Sequence, residues 1–362
     1  MRHELSAVLV VRNGESKIEE CLRRLVGLAD EFVIVDTGST DKTLDIARKF
    51  KTMVRQPVII DAVGTLFLDD EGNFDFGKAK NYGFSLATKE YVMWVDVNDM
   101  LDNARDVRAK FDKASTMYST SDIVMYTRIT RTMKFPRVRI VRRETSRFIN
   151  PIHEYVIDTA QPRKVITFKN EFINFKRQRD VARNLKALIK LWKKGHSLRT
   201  AYYIATSYKD TKNPEMARLW YEICLNEFPY WEFDETIAAA DYVVADALKK
   251  GQFAFADELT MEMIENIPQR AESFYYRYVY NVKVNKLEHA LKCLVKLREL
   301  PPPPRSRIGI NMKAYNAKER EDRIEEIWRQ VKYNHQTMNT DARVYDSVQQ
   351  AIDATQFMQT VY

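Results

Sequence analysis

The chain has 362 residues, 58 lysines and arginines against 50 acids, a formal charge of +8 and an apolar fraction of 45%. This is the composition of a globular protein with real cores, long enough for two domains or for one domain with a helical extension. No apolar run approaches the roughly 18 residues of a membrane span, and the first five residues lack the basic-then-apolar shape of a secretory signal. The three cysteines, Cys21, Cys224 and Cys293, are far apart and fall in helical patterns, which predicts buried thiols in a reducing cytoplasm.

The charge is concentrated. Between Arg128 and Arg199 stand 20 lysines and arginines against 5 acids, so this window carries +15 and the remainder of the chain −7. Such an imbalance predicts a polyanionic partner, either nucleic acid or an anionic membrane or glycan surface; the alternative is a solvated basic face.

In chain order, Leu5 to Val11 reads as a buried strand and Arg12 to Glu15 as a turn. Ser16 to Leu28 has helical spacing, with Ile18, Cys21, Leu22, Leu25 and Val26 on one face. Phe32 to Val35 is a second buried strand ending at Asp36, followed by a turn to Asp41 and a helix from Thr43 to Phe50. A third strand is expected at Val58 to Ile60, then a Gly/Asn/Asp loop over 69–75 and a short helix from Ala79 to Thr88. That helix leads into the apolar run Tyr91 to Val95, which ends abruptly in Asp96, Val97, Asn98 and Asp99. The alternation predicts a mainly parallel sheet with right-handed crossovers. After about residue 122 it stops. Residues 123–127, 137–141 and 154–157 read as short strands at an edge or antiparallel, closing a first domain over 1–178.

From Arg179 the pattern is helical, with segments Val181–Lys194, Arg199–Asp210, Pro214–Phe228, Glu235–Lys249, Phe253–Ile267, Ala271–Val284 and Leu287–Leu300. Pairs recur with a similar period, and Asn213-Pro214 opens a helix in the manner of a tetratricopeptide-type repeat. A repeat domain over 179–300 is therefore expected. Its aromatics, including Tyr202, Trp220, Tyr221 and Tyr276, sit at helical spacing and read as repeat core. Pro301 to Pro304 breaks the helical run. One further helix, Lys318 to Lys332, precedes a glutamine-bearing tail, so 301–362 is set apart as a third segment.

Three turns fall at the carboxyl ends of parallel strands: Arg12–Glu15, Asp36–Asp41 and Asp96–Asp99. In an open α/β sheet those ends face one crevice. Asp36 suits a ribose hydroxyl or a base N–H, while Gly38 and Ser39 permit close backbone approach and helix capping. Oxygen ligands spaced as at 96–99 can hold a hard divalent cation against a diphosphate, although a solvated Asp/Asn turn has the same composition. The Rossmann and P-loop glycine signatures are absent, which disfavours dinucleotide and P-loop binding.

Five segments, Val8–Glu15, Phe32–Thr43, Phe76–Asn81, Ala87–Asp99 and Pro151–Glu154, stand in the order and spacing of a known family. Over its first 155 residues or so the chain resembles a family-2 glycosyltransferase of the GT-A fold. The helical region that follows resembles a subgroup that includes peptide S-glycosyltransferases. The resemblance implies that Asp36 contacts the nucleotide base, usually uracil. It places Arg12, Asn13, Glu15, Gly38, Ser39, Lys78, Lys80 and Asn81 around the nucleotide, with Lys80 standing where the family usually has arginine. It implies Mn²⁺ or Mg²⁺ held by Asp96, Asn98, Asp99 and His153, with the ribose as the alternative partner of Asp96 and the diphosphate as that of His153. The subgroup usually reads Asp-Ala-Asp-Glu at 96–99, so Asn98 replaces a carboxylate with an amide. Glu154, with Asp96, is the implied catalytic pair, Glu154 taking the acceptor proton as general base.

The resulting expectation is a cytoplasmic, inverting glycosyltransferase that uses a nucleotide-sugar, a UDP-sugar by the resemblance. The basic window favours a polyanionic acceptor, and first among those a hydroxymethylated or glycosylated DNA base flipped from its duplex. Glycolipid or lipopolysaccharide, and protein or peptide, are the alternative acceptors. An inactive transferase fold serving a repeat scaffold is the alternative class.

Overall fold

The computed structural model describes residues 2–117, 121–128, 134–159, 164–174, 181–302 and 312–338. They divide into two compact units that meet between Lys190 and Leu191. The sequence places its first boundary earlier, at 178/179, and that point lies outside the described residues, as do Pro303, Pro304 and the tail with Gln349, Gln350, Gln356 and Gln359.

The first unit opens with β1 (Leu5–Val11), α1 (Ile18–Arg23), β2 (Glu31–Asp36), α2 (Thr43–Met53), β3 (Val58–Ala62), α3 (Phe76–Leu86) and β4 (Tyr91–Asp96). It continues with β5 (Asp99–Leu101), α4 (Ala104–Met117), β6 (Ser121–Arg128), β7 (Lys134–Arg142), β8 (Ser146–Ile149), β9 (Tyr155–Asp158), β10 (Lys164–Asn174) and the start of α5 (Val181–Lys194). One sheet of eight strands runs β3-β2-β1-β4-β7-β6-β10-β5, and β8 pairs antiparallel with β9 apart from it.

The first four strands are parallel and apolar on both faces, as strands covered on both sides must be. Their side chains alternate between two cores. Leu9, Ile34 and Met93 pack with Leu22 of α1, Phe50 of α2 and Phe111 of α4. Val8, Val33, Val35 and Trp94 pack with Phe84 of α3 and Phe148 of β8. Helix α3 lies so close to β1 that a Cβ on Gly83 would stand 2.5 Å from Val8 Cγ1.

Beyond β4 the segments at 123–127 and 137–141 are antiparallel strands, the second of the two sequence readings, and they lie inside the sheet and not at its edge. β7 lies antiparallel to β4 within the sheet, β6 pairs with β7, β10 runs parallel to β6, and β5 closes the edge. Ile140 and Val141 are fully buried there, a burial that an edge position does not provide. The first helix is also shorter than its periodicity suggests. It ends at Arg23, and Gly27 then turns in the left-handed region with φ 89° while Leu25 and Leu28 remain buried.

In the second unit α6 (Leu198–Asp210) packs on α7 (Pro214–Glu227) and α8 (Asp234–Lys249). α8 packs on α9 (Phe253–Asn266) and α10 (Ala271–Lys283), α10 on α11 (Leu287–Arg298), and α11 on α12 (Ala317–Met338). The helices begin where local chemistry satisfies their free N–H groups: Ser197 accepts from Thr200, and Asn213 accepts from Met216 ahead of Pro214. Ala201, Ala205, Ala217, Ala239, Ala240 and Ala256 are fully buried, which lets neighbouring helices approach closely. Tyr202, Tyr221 and Tyr276 are buried among them as repeat core. Cys21 and Cys224 are buried free thiols, and Cys293 is half-buried.

Candidate active site

The parallel register sets the frame of the site. Val11 of β1 stands opposite Asp36, and Val10 stands opposite Asp96. Two acids therefore end the strands on either side of β1 at nearly the same level. They are separated by two strand spacings, about 10 Å. Asp36 is buried. Its Oδ1 accepts the backbone N–H groups of Gly38 and Ser39 at 3.0 Å each, with Gly38 turned to φ 93°. Its Oδ2 is buried with no hydrogen-bond partner among the described residues.

The loops on either side of Asp36 are laced together by the residues expected to meet the nucleotide. Asn13, itself at φ 53°, donates its backbone N–H to Ser39 Oγ, and its Oδ1 accepts from Thr40 N at 2.8 Å. Glu15 Oε2 accepts from Lys42 N, and Gly14 N donates to Thr43 Oγ1. The side chains of Asn13, Glu15 and Ser39 thus build the crevice wall by holding two strand tips in register. Arg12 is exposed beside them.

Lys80 stands at the centre of the second half of the site. It is buried on α3, with its Nζ 2.7 Å from Glu154 Oε1, 3.4 Å from Asp96 Oδ1 and 4.0 Å from the Trp94 ring centroid. Burial works to lower the affinity of Lys80 for its proton, but Asp96 and Glu154 outweigh it and raise the pKa above the ordinary lysine value. For Asp96, burial works to raise the pKa, yet Lys80, Arg139 and Arg137 together hold it below the ordinary carboxylate value. The structure therefore brings the two expected catalytic acids, Asp96 and Glu154, together on one ammonium group. The lysine lies inside the cluster, gripping its acids.

Asp99 turns away from this cluster. Its Oδ2 lies 2.8 Å from Nη1 of Arg139, and both side chains are fully buried. The guanidinium also lies 4.1 Å from the Trp94 ring and 4.5 Å from Phe172. Burial pulls the pKa of Arg139 below the ordinary arginine value, with Asp99 acting against it. Cys21 Sγ is 3.5 Å from the Asp99 carbonyl oxygen, and burial pushes its thiol well above the usual range. Asp99 is a structural anion under the turn and not a ligand at its surface.

The donor set expected for a metal does not fit. Asp99 is bound to Arg139, Asp96 is bound to Lys80, and Asn98 offers an uncharged amide. Among the described residues no three His, Cys, Asp or Glu side chains come together in a way that suits a metal ion.

The segment carrying His153 and Glu154 is fixed from α3. Asn81 Nδ2 donates to the Phe148 carbonyl oxygen at 2.9 Å, and Asn81 Oδ1 accepts from Phe148 N at 2.7 Å. Phe76 N donates to the Pro151 carbonyl oxygen, and a Cβ on Gly77 would stand 2.4 Å from the Asn150 carbonyl oxygen. Asn81, expected at the nucleotide, instead anchors β8. Lys78 is exposed, and its backbone N–H is capped by Asp75. Asn150 and His153 hold φ 71° and 50° in the left-handed region, as Asn13 does, and Lys212 and Asn285 share it at the ends of helices in the second unit. Such backbone persists where the surroundings impose it, and it recurs at functional sites.

Sequence reading missed Arg137 and Arg139 as site residues. The signal was their i, i+2 spacing, which puts both on one face of a strand next to β4. Arg139 is buried and Arg137 exposed. The basic window is also less available than its net charge suggests. Arg139, Arg142, Arg143, Lys186, Lys190 and Arg199 pair with acids, whereas Arg137, Arg147, Lys169, Lys193 and Lys194 are exposed.

Residues 6–164 match glycosyl transferase family 2. A TPR repeat-containing protein of Synechococcus elongatus is 23% identical over 216 residues, covering 53% of this chain and 49% of that protein. A poly(ribitol-phosphate) beta-glucosyltransferase of Bacillus spizizenii is 31% identical over 103 residues, covering 27% of this chain and 15% of that protein. The chain thus spans about half the length, or less, of these two relatives. Among solved structures, S. aureus TarS 1-349 in complex with UDP-GlcNAc is similar with a TM-score of 0.39 and 14% identity, covering 92% of each chain.

Proposed function

We propose, from the match of residues 6–164 to glycosyl transferase family 2, that the chain is an inverting glycosyltransferase using a UDP-sugar. The observation that carries the reading is the pair of acids flanking the β1 tip, with Asp36 Oδ2 left without a partner among the described residues. Uracil has an N3–H that satisfies such an oxygen; cytosine has only an acceptor at that place. The ribose and diphosphate then extend across the tip of β1 towards Asp96.

In the transfer, an acceptor hydroxyl oxygen attacks the anomeric carbon while the bond from that carbon to the diphosphate oxygen breaks. The bonding pair leaves with the diphosphate, and the hydroxyl proton passes to Glu154. Lys80 fixes Glu154 and Asp96 so that neither has to reorganise during the step. No part of this scheme is routed through Mn²⁺ or Mg²⁺, because the expected ligands are engaged elsewhere.

For the acceptor, the expectation of a DNA base finds no support among the relatives. A polyol-phosphate polymer is the better proposal. It is a polyanion rich in hydroxyl groups, it is the acceptor class in the name of the Bacillus spizizenii relative, and exposed Arg137, Arg147 and Lys169 suit it. No helix among the described residues is long and apolar enough to cross a membrane.

Calorimetric titration of UDP and CDP tests the donor assignment. UDP is expected to bind about tenfold or more tightly than CDP, since the cytosine ring leaves a buried carboxylate oxygen unsatisfied. Asp36→Asn should collapse that preference. Equal affinity of the wild type for both nucleotides would remove the base contact from the account.

A further inference from the structure

We propose that this chain transfers its sugar without a divalent ion: Lys80 is the fixed cation between Asp96 and Glu154, and Arg137 takes up the charge released onto the diphosphate. The inference rests on the reading of the strand tips as a UDP-sugar site. Three independent features of the side chains carry it. The position that would supply the central carboxylate of the turn is Asn98, and the next acid, Asp99, is fully buried against Arg139 at 2.8 Å. The acid that remains, Asp96, already has a cation 3.4 Å away, and that same cation holds Glu154 at 2.7 Å. A second, exposed cation, Arg137, belongs to this cluster. Its guanidinium lies 6.0 Å from the Trp94 ring, and its charge acts on both Asp96 and Lys80.

The charge balance is consistent. Lys80 and Arg137 together offset the two carboxylates, so the cluster presents no net negative charge to attract a divalent ion. Lys80 would repel one placed beside Asp96. When the bond to the anomeric carbon breaks, one further negative charge appears on the diphosphate. An arginine fork meets phosphate oxygens with two parallel hydrogen bonds and needs no metal to do so. Lys80 is a positioning residue in this scheme, and Arg137 is the group that meets the leaving oxygen.

The test is calorimetric binding of UDP to the full chain, first in EDTA and then with excess Mn²⁺. The wild type is expected to bind with the same dissociation constant within about threefold in both. Arg137→Ala should weaken binding in EDTA by about tenfold or more, as loss of a charge-assisted hydrogen bond does, with an unchanged melting temperature and no rescue by Mn²⁺. Asn98→Asp restores the missing carboxylate and should make binding tighten on addition of Mn²⁺. Wild-type binding that appears only with Mn²⁺ would overturn the inference and leave the UDP site standing, as would an Arg137→Ala protein that binds like the wild type. Absence of UDP binding in both conditions would overturn the site assignment and the inference with it.

Discussion

Asp99→Ala is expected to lower the unfolding free energy by about 3–5 kcal/mol, the cost of leaving one member of a buried ion pair without its partner. Asp99 and Arg139 are both fully shielded from water, so neither charge can be rehydrated in the native state. After the substitution the Arg139 guanidinium stays buried without the Asp99 carboxylate. Replacing both partners with apolar residues of similar volume, Asp99→Leu with Arg139→Met, should recover most of the loss, because the desolvation of two charges is then also removed. Urea unfolding of the wild type and of these two variants in EDTA decides the matter. An acid that served only as a metal ligand would leave stability in EDTA unchanged when truncated, and that outcome would refute the structural role given to Asp99.

The second large effect is expected at Lys80. Lys80→Met keeps an unbranched side chain beside Trp94 but removes the cation shared by Asp96 and Glu154. Asp96 and Glu154 then lose the cation they share, although the charges of Arg139 and Arg137 still act on Asp96, and one of the two acids takes up a proton or swings away. Transferase turnover should fall by about 10²–10³-fold, the range seen when a preorganised charged contact is lost from a catalytic site. The stability cost should be smaller than at Asp99, about 1–3 kcal/mol, because the Asp96 side chain is 41% exposed and water can take over part of the pairing. Lys80→Arg should retain far more activity than Lys80→Met, since a guanidinium can bridge the same two acids. Steady-state kinetics with a UDP-sugar checks this. Equal losses for both variants would mean that the shape of the lysine, and not its charge, is what the site requires.

How much of this was legible in the sequence follows from where each constraint lies. The strands β1, β2 and β4 are short apolar runs ending in polar turns, and the helices of the second unit repeat their alanines and aromatics at 3.6-residue spacing. Local pattern therefore located them to within a residue or two. Helix α4 was missed because its buried stripe is only Val107, Phe111 and Ala114, interrupted by charged neighbours such as Arg108. The placement of β7 was missed because it pairs with β4 some forty residues earlier, and nothing in a strand's own residues records its partner. The site divides in the same way. Asp36, Asp96 and Glu154 were found as polar residues at the ends of recognisable segments. That Asp99 would face inward, and that Lys80 would lie between two acids, depends on Arg139 and Glu154 arriving from distant strands and loops. Asn13, Glu15 and Asn81 are expected at the nucleotide from the resemblance. Their work is to bond backbone groups of neighbouring loops, which composition alone does not distinguish from contact with a ligand.

The most direct test of the account is turnover: release of UDP from a panel of UDP-sugars, measured with and without a polyol-phosphate polymer, for the wild type and for Glu154→Gln. The account predicts polymer-dependent release by the wild type. It also predicts a loss of about 10²–10⁴-fold in the variant, the usual contribution of a general base, with UDP binding retained. A wild-type protein that binds UDP yet consumes none of the sugars on any polyanionic acceptor, or a Glu154→Gln protein that turns over as fast as the wild type, would contradict it.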